Sequence, residues 1–156
     1  MYKKILVPLD GSELAECSLN HLKKLFQDGP AGEVVLLNAV VINIPWTEAG
    51  TDESHPPAFD YMAFKKTFLD ASKKYLAKVK SRLASEGFKV KAETIESNGP
   101  SQTITDYAQK HGIDLIVIAT HGYTGMKKMM LGSIAMKVLH ESNVPVLLIR
   151  PEACRV

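Results

Sequence analysis

The chain has 156 residues, 46% of them hydrophobic and 23% charged, with a formal net charge of +2. These values fit one globular domain spanning residues 1–156, and so small a charge gives no ground for a nucleic-acid partner. The apolar runs are strand-sized, which excludes a transmembrane helix. Met1-Tyr2-Lys3-Lys4-Ile5 passes into the first run without the apolar stretch of a secretory leader. The expectation is a cytoplasmic protein without a membrane partner, in which Cys17 and Cys154 are reduced thiols.

Ile5 to Leu9 reads as a buried strand, with Pro8 near its end where a missing N–H is tolerated. Asp10-Gly11-Ser12 is a turn and helix start, with Ser12 the N-cap and Glu13 and Glu16 in the first turn. Those two acids make this helix start a poor phosphate site. Ala15, Ser18, Leu19, Leu22 and Leu25 form its buried face. Asp10 suits an Asx-type cap of the turn. After a loop from Gln27 to Gly32, Glu33 to Val41 forms a second strand, interrupted by the polar Asn38.

Ile42 to Pro57 loses all periodicity and carries Trp46, the only tryptophan. A loop of this length is often functional, and Trp46 either covers a ligand or partner or tethers the loop to the body. Phe59 to Glu86 reads as a long helix ended by Gly87, with Phe68, Tyr75, Leu76, Val79 and Leu83 on its buried stripe. Its lysines form a solvated face without interleaved aromatics. Lys89 to Ile95 alternates charged and apolar residues, as a strand near a sheet edge does. Asn98-Gly99-Pro100 turns the chain into a helix that begins at Pro100 or Ser101, buries Ile104, Tyr107 and Ala108, and stops at Gly112.

The stretch from Leu115 to Arg150 carries the densest signal. The apolar run Leu115 to Ala119 gives way to Thr120-His121-Gly122, and nine residues later Gly132-Ser133 opens a helical pattern with Ile134, Ala135, Val138 and Leu139 on one face. A second apolar run, Val144 to Ile149, closes a βαβ unit. No acid precedes Glu141 in that helix, so the N–H groups from Gly132 to Ala135 form a phosphate-attracting helix start, to which Lys127 and Lys128 add charge. Pro145 marks the last strand as an edge, and Val146, Leu147, Leu148 and Ile149 form a flat apolar rim that either a second copy or the 151–156 tail must cover. Five strands alternating with four helices imply a parallel α/β sandwich.

Ala119-Thr120-His121-Gly122, nine residues, then Gly132-Ser133, together with the opening Ile5 to Ser12, resembles the universal stress protein family over nearly the whole chain. The family's motif runs glycine, two residues, glycine, nine residues, Gly-Ser or Gly-Thr, and its first glycine stands here as Ala119. The resemblance implies a single-domain three-layer sandwich of the adenine-nucleotide alpha-hydrolase-like type, with a parallel sheet of order 3-2-1-4-5. It implies binding of ATP, with Mg²⁺ carried on the phosphates. Ala39 and Val40 would pack against the base, with the alternative that they are simple core. Pro8, Leu9 and Asp10 would contribute beside it, and Ala119, His121, Gly122, Gly132, Ser133, Ile134 and Ala135 would surround the ribose and phosphates. It further implies a homodimer through Val146 to Ile149. A nucleotide-free, partner-binding dimer is the competing expectation.

Nothing in the sequence assigns catalytic residues. Walker A and Gly-x-Gly-x-x-Gly patterns are absent, as is a Gly-x-Ser-x-Gly elbow around Ser133, and the scattered histidines show no metal-ligand spacing. His121 has no partner that would make it a general base, which leaves it a positional role in its loop. At most slow hydrolysis is expected.

Overall fold

A computed structural model of the chain describes residues 2–26, 32–43, 60–120 and 132–150. Trp46 with the 44–57 part of the long loop, His121, Gly122, Lys127, Lys128, Cys154 and the rest of the 151–156 tail lie outside these residues. The described elements are β1 (Lys4–Pro8), α1 (Glu13–Leu25), β2 (Glu33–Val40), α2 (Tyr61–Ser85), β3 (Lys89–Glu96), α3 (Pro100–Lys110), β4 (Leu115–Ala119), α4 (Ser133–Glu141) and β5 (Val146–Ile149). The five strands make one parallel sheet of order β3-β2-β1-β4-β5.

The side-chain alternation of the strands divides the core in two. Ile5, Val7, Val34 and Leu36 point to the face covered by α1 and α2, where they meet Leu19, Leu22, Leu76, Val79 and Leu83. Leu6, Val35, Leu37 and Ile116 point to the other face and pack on Ile104, Ala108, Ala135 and Val138 of α3 and α4. Two-sided burial is why β1, β2 and β4 read as continuous apolar runs. β3, at the edge, has the alternating exposure that its charges announce.

Local chemistry sets the helix ends. Ser12 caps α1 by accepting from Ala15 N at 3.1 Å, and Asp60 caps α2 by accepting from Ala63 N at 3.0 Å. α2 ends in a Schellman turn: Gly87, at φ +93°, donates to Ala84 O, and Phe88 N donates to Leu83 O.

Several expectations are corrected. Phe68 is not on the core stripe of α2 but exposed, because the first turns of that helix extend beyond the strand ends, where its ring meets that of Phe64 at a tilt, centroids 4.8 Å apart. Ile134 and Leu139 are exposed as well, since α4 meets the sheet through the narrower stripe of Ala135 and Val138. Pro145 precedes β5 rather than lying in it, and its carbonyl accepts from Ile116 N at 2.9 Å. Cys17 is disulfide-bonded and buried on α1, not a reduced thiol.

At the opposite edge of the sheet, Glu33 joins three strands. Its carboxylate lies 3.6 Å from Lys4, 3.6 Å from Lys89 and 3.2 Å from Lys91. Burial pushes its pKa up, but the Lys91 hydrogen bond and the charges of Lys91, Lys4 and Lys89 outweigh burial and hold it below its ordinary 4.5. A carboxylate with a lowered folded pKa adds stability above its unfolded value, and that contribution disappears as pH falls through the folded value. Glu33→Gln should therefore cost less than about 1 kcal/mol at pH 7, since Lys89 and Lys91 are exposed and Lys4 only half buried. In urea melts the gap from the parent protein should close as the pH falls below the ordinary carboxylate range and shrink in 1 M salt; a gap that persists in acid would show that Glu33 acts through packing instead.

Candidate functional site

A cleft of about 880 Å³ opens where β1, β2 and β4 end. It follows from the strand order. The chain leaves β1 toward β2 and β3, then crosses to β4 on the other side, so connections diverge at the end of β1 and leave a crevice. Pro8, Leu9 and Asp10 form its floor, Ala39 and Val40 one side, Ala119 and Thr120 another, and Gly132 to Ala135 close it. The structure thus brings together every predicted site residue within its described part; only His121 and Gly122 fall outside that part.

The floor is built by a turn. Leu9 N donates to Leu37 O at 2.8 Å, extending the ladder one step beyond β1. Asp10 Oδ1 then accepts from Ser12 N at 2.9 Å and from Ser12 Oγ at 2.6 Å, the Asx-type arrangement expected of it. Gly11 between them sits at φ +88°, in the left-handed region, with open space where a Cβ would be. Ser12 and the first-turn acids Glu13 and Glu16 occupy the start of α1, and Glu16 is held by Arg82 at 2.5 Å. That helix start carries negative charge.

The start of α4 is the opposite case. It has no side-chain cap and no acid in its first turn. Gly132 N is not free as expected, because it donates to Thr120 O at 2.6 Å and so ties the end of β4 to the helix. Ser133, Ile134 and Ala135 retain N–H groups without a partner within the helix, the arrangement that favours an anion. Gly132 itself has φ −58° and ψ 143°, a conformation open to any residue. What glycine provides there is the absence of a side chain beside those N–H groups.

Residues from α2 and α3 also line the cleft, and the sequence reading did not place them there: Phe68, Ala71, Ser72 and Tyr75 from α2, Pro100 and Ile104 from α3, together with Asn38 of β2. Burial raises the pKa of Tyr75, and the Glu16 and Asp10 carboxylates raise it further against Arg82, so its hydroxyl stays neutral. Glu16 is close enough to act on that buried hydroxyl, although no well-formed hydrogen bond joins them. Strand parity separates the β2 residues: Ala39 continues the row of Val35 and Leu37 toward α3, whereas Asn38 and Val40 continue that of Val34 and Leu36 toward α2. Among the described residues no group of three His, Cys, Asp or Glu is placed to hold a metal ion.

A five-stranded parallel sandwich with a cleft at its switch point and an uncapped, acid-free helix start beside it is a small α/β protein of the doubly wound class. Comparison with known proteins refines this. The model of the universal stress protein family matches residues 1–150, and the chain belongs to that family. Universal stress protein MJ0577 of Methanocaldococcus jannaschii is 34% identical over 159 residues, covering 96% of both chains. The solved structure of MJ0577 aligns with TM-score 0.77 at 30% identity over 96% of each chain. More distant members share the fold. One from Arabidopsis thaliana, solved with AMP bound, has TM-score 0.66 and 14% identity over 95% of this chain and 91% of that one. Another, solved in complex with cAMP, has TM-score 0.62 and 15% identity over 96% and 98%.

Replacing Gly11 by alanine should cost about 1–2 kcal/mol by the backbone conformation alone, because nothing lies within 4 Å of the added carbon. Urea denaturation would measure it. A neutral result would mean that the turn relaxes, carrying Asp10 and Ser12 with it.

Proposed function

We propose that this chain is a stress-response protein that binds ATP or another adenine nucleotide in the cleft at the ends of β1, β2 and β4, as a cytoplasmic homodimer whose nucleotide state governs a protein partner. The observation that carries the reading is the contrast between the two helix starts on the cleft. The α1 start is capped and acidic, and the α4 start is uncapped, free of acids and entered through a side-chain-free residue. Phosphates belong at Gly132, Ser133, Ile134 and Ala135, and Mg²⁺ would be held by the phosphates themselves. Ala119 and Asp10 approach the ribose, with Pro8 and Leu9 beneath, and Ala39 and Val40 on the base side; His121 and Gly122, which follow Thr120 in the chain, complete the motif. The AMP and cAMP complexes of distant family members support adenine nucleotides as the ligand class. Binding is favoured over catalysis, with at most slow hydrolysis, because no residue is assigned to position an attacking water.

The dimer reading rests on β5. It is an edge strand, and Val146, Leu147 and Leu148 are only half buried within one chain. Pairing β5 with its copy would cover both the backbone edge and these side chains. A nucleotide-free dimer is the second reading, favoured by Ala119, which adds a methyl group where the family motif has glycine. No described helix is long and apolar enough to cross a membrane.

Denaturing freshly purified protein and identifying any released nucleotide by chromatography and mass separates the two readings: near-stoichiometric ATP supports the first, and an empty protein that also ignores added ATP with Mg²⁺ supports the second. Gly132→Val should fold normally, since its backbone conformation suits valine, and should lose nucleotide binding by calorimetry. Unchanged binding by a folded variant would overturn the phosphate placement. Sedimentation equilibrium should give twice the mass of the chain, and Leu147→Arg should reduce it to one; a monomeric parent would remove the dimer.

A further inference from the structure

We infer that Asn38 is the residue that reads the ligand's base, and that the base lies on the α2 side of the cleft. This rests on the nucleotide reading above and deepens it. Asn38 is the one polar side chain in β2 after Glu33, and strand parity turns it toward α2 together with Val34, Leu36 and Val40. Its register partner on β3 is Thr94. Thr94 Oγ1 bonds Ser72 Oγ of α2 at 2.9 Å and not Asn38. The Asn38 amide forms no hydrogen bond among the described residues, yet it is half buried and lines the cleft. The amide stays open to the cleft, so a ligand entering there can exchange its water for a direct hydrogen bond.

The surroundings say what that is. On this side the cleft is walled by Phe68, Ala71 and Tyr75, apolar and aromatic surfaces suited to a flat ring. Asn38 adds a single group that donates and accepts side by side, the complement of the amino and ring-nitrogen edge of adenine. The helix start that attracts phosphate belongs to α4, on the opposite face of the sheet. A ligand with a planar base at one end and phosphates at the other would cross the end of β1 between the two, with its sugar over Leu9 and Asp10. Ala39, facing α3, would not be a base contact through its side chain.

The test uses Asn38→Ala in the full chain with two probes, ATP and purine riboside 5′-triphosphate, which lacks the exocyclic amine. The parent protein should prefer ATP by about tenfold, the effect of losing one or two hydrogen bonds of ordinary net strength. The variant should bind ATP about tenfold more weakly and show no preference between the probes. Its ligand-free melting temperature should be no lower than that of the parent. ATP binding unchanged in the variant, or a retained preference, would overturn the assignment of Asn38 while leaving the nucleotide reading intact. A ligand-free melting temperature several degrees lower would also overturn it, by showing that the amide serves the fold. A parent protein that binds neither probe would sink both.

Discussion

The rest of the molecule depends on the hydrogen-bonded position of β1 between β2 and β4. Ile5, Leu6 and Val7 have no exposed surface, and the strand carries a parallel ladder on each side. Once β1 is central, the order of the remaining strands decides the function. The chain fills one side of the sheet with β2 and β3, then crosses to the other for β4 and β5. α1 and α2 cover one face and α3 and α4 the other, so none of the described helices closes over the end of β1. The cleft is a consequence of the topology rather than of any residue that lines it.

Given that cleft, the chemistry of two helix starts divides it. A helix start is electropositive by construction, and side chains decide whether the charge is neutralised from within or left for a ligand. At α1, Ser12, Glu13 and Glu16 neutralise it, and Arg82 then fixes Glu16. At α4, Gly132 and Ser133 do not, and the bond from Gly132 N to Thr120 O holds that start against the end of β4. The same backbone arrangement thus has opposite electrostatic character at two points on one cavity.

What was legible in the sequence was whatever depends on local order. Buried strands appear as apolar runs, Ser12 and Gly87 mark helix ends through their own conformational chemistry, and Gly132-Ser133 marks the start of α4. The strand order came from resemblance, since periodicity along a chain does not encode which strand lies beside which. The contribution of α2 to the cleft was hidden for a related reason. Tyr75 and Phe68 fall on the same helical stripe as Leu76 and Leu83, and only the point at which the sheet stops beneath the helix separates core from cavity wall. Cys17 was misread because the absence of a cysteine framework in the spacing does not decide whether a thiol is oxidised.

Asn38 shows how a local signal acquires meaning from its neighbours. In the sequence it is an interruption in an apolar strand, which could equally be a structural amide bonded across the sheet. The β2–β3 register puts Thr94 opposite it, yet Thr94 bonds Ser72 of α2, and the amide forms no hydrogen bond among the described residues. An amide without a protein partner on the wall of a cleft is the basis for reading it as a recognition group. Because the amide faces α2 while the phosphate-favouring helix start lies under the other face, it also gives the cleft a direction, polar and charged at one end and flat and apolar at the other. That asymmetry is a property an adenine nucleotide shares, and it arises here from side-chain alternation within a single strand.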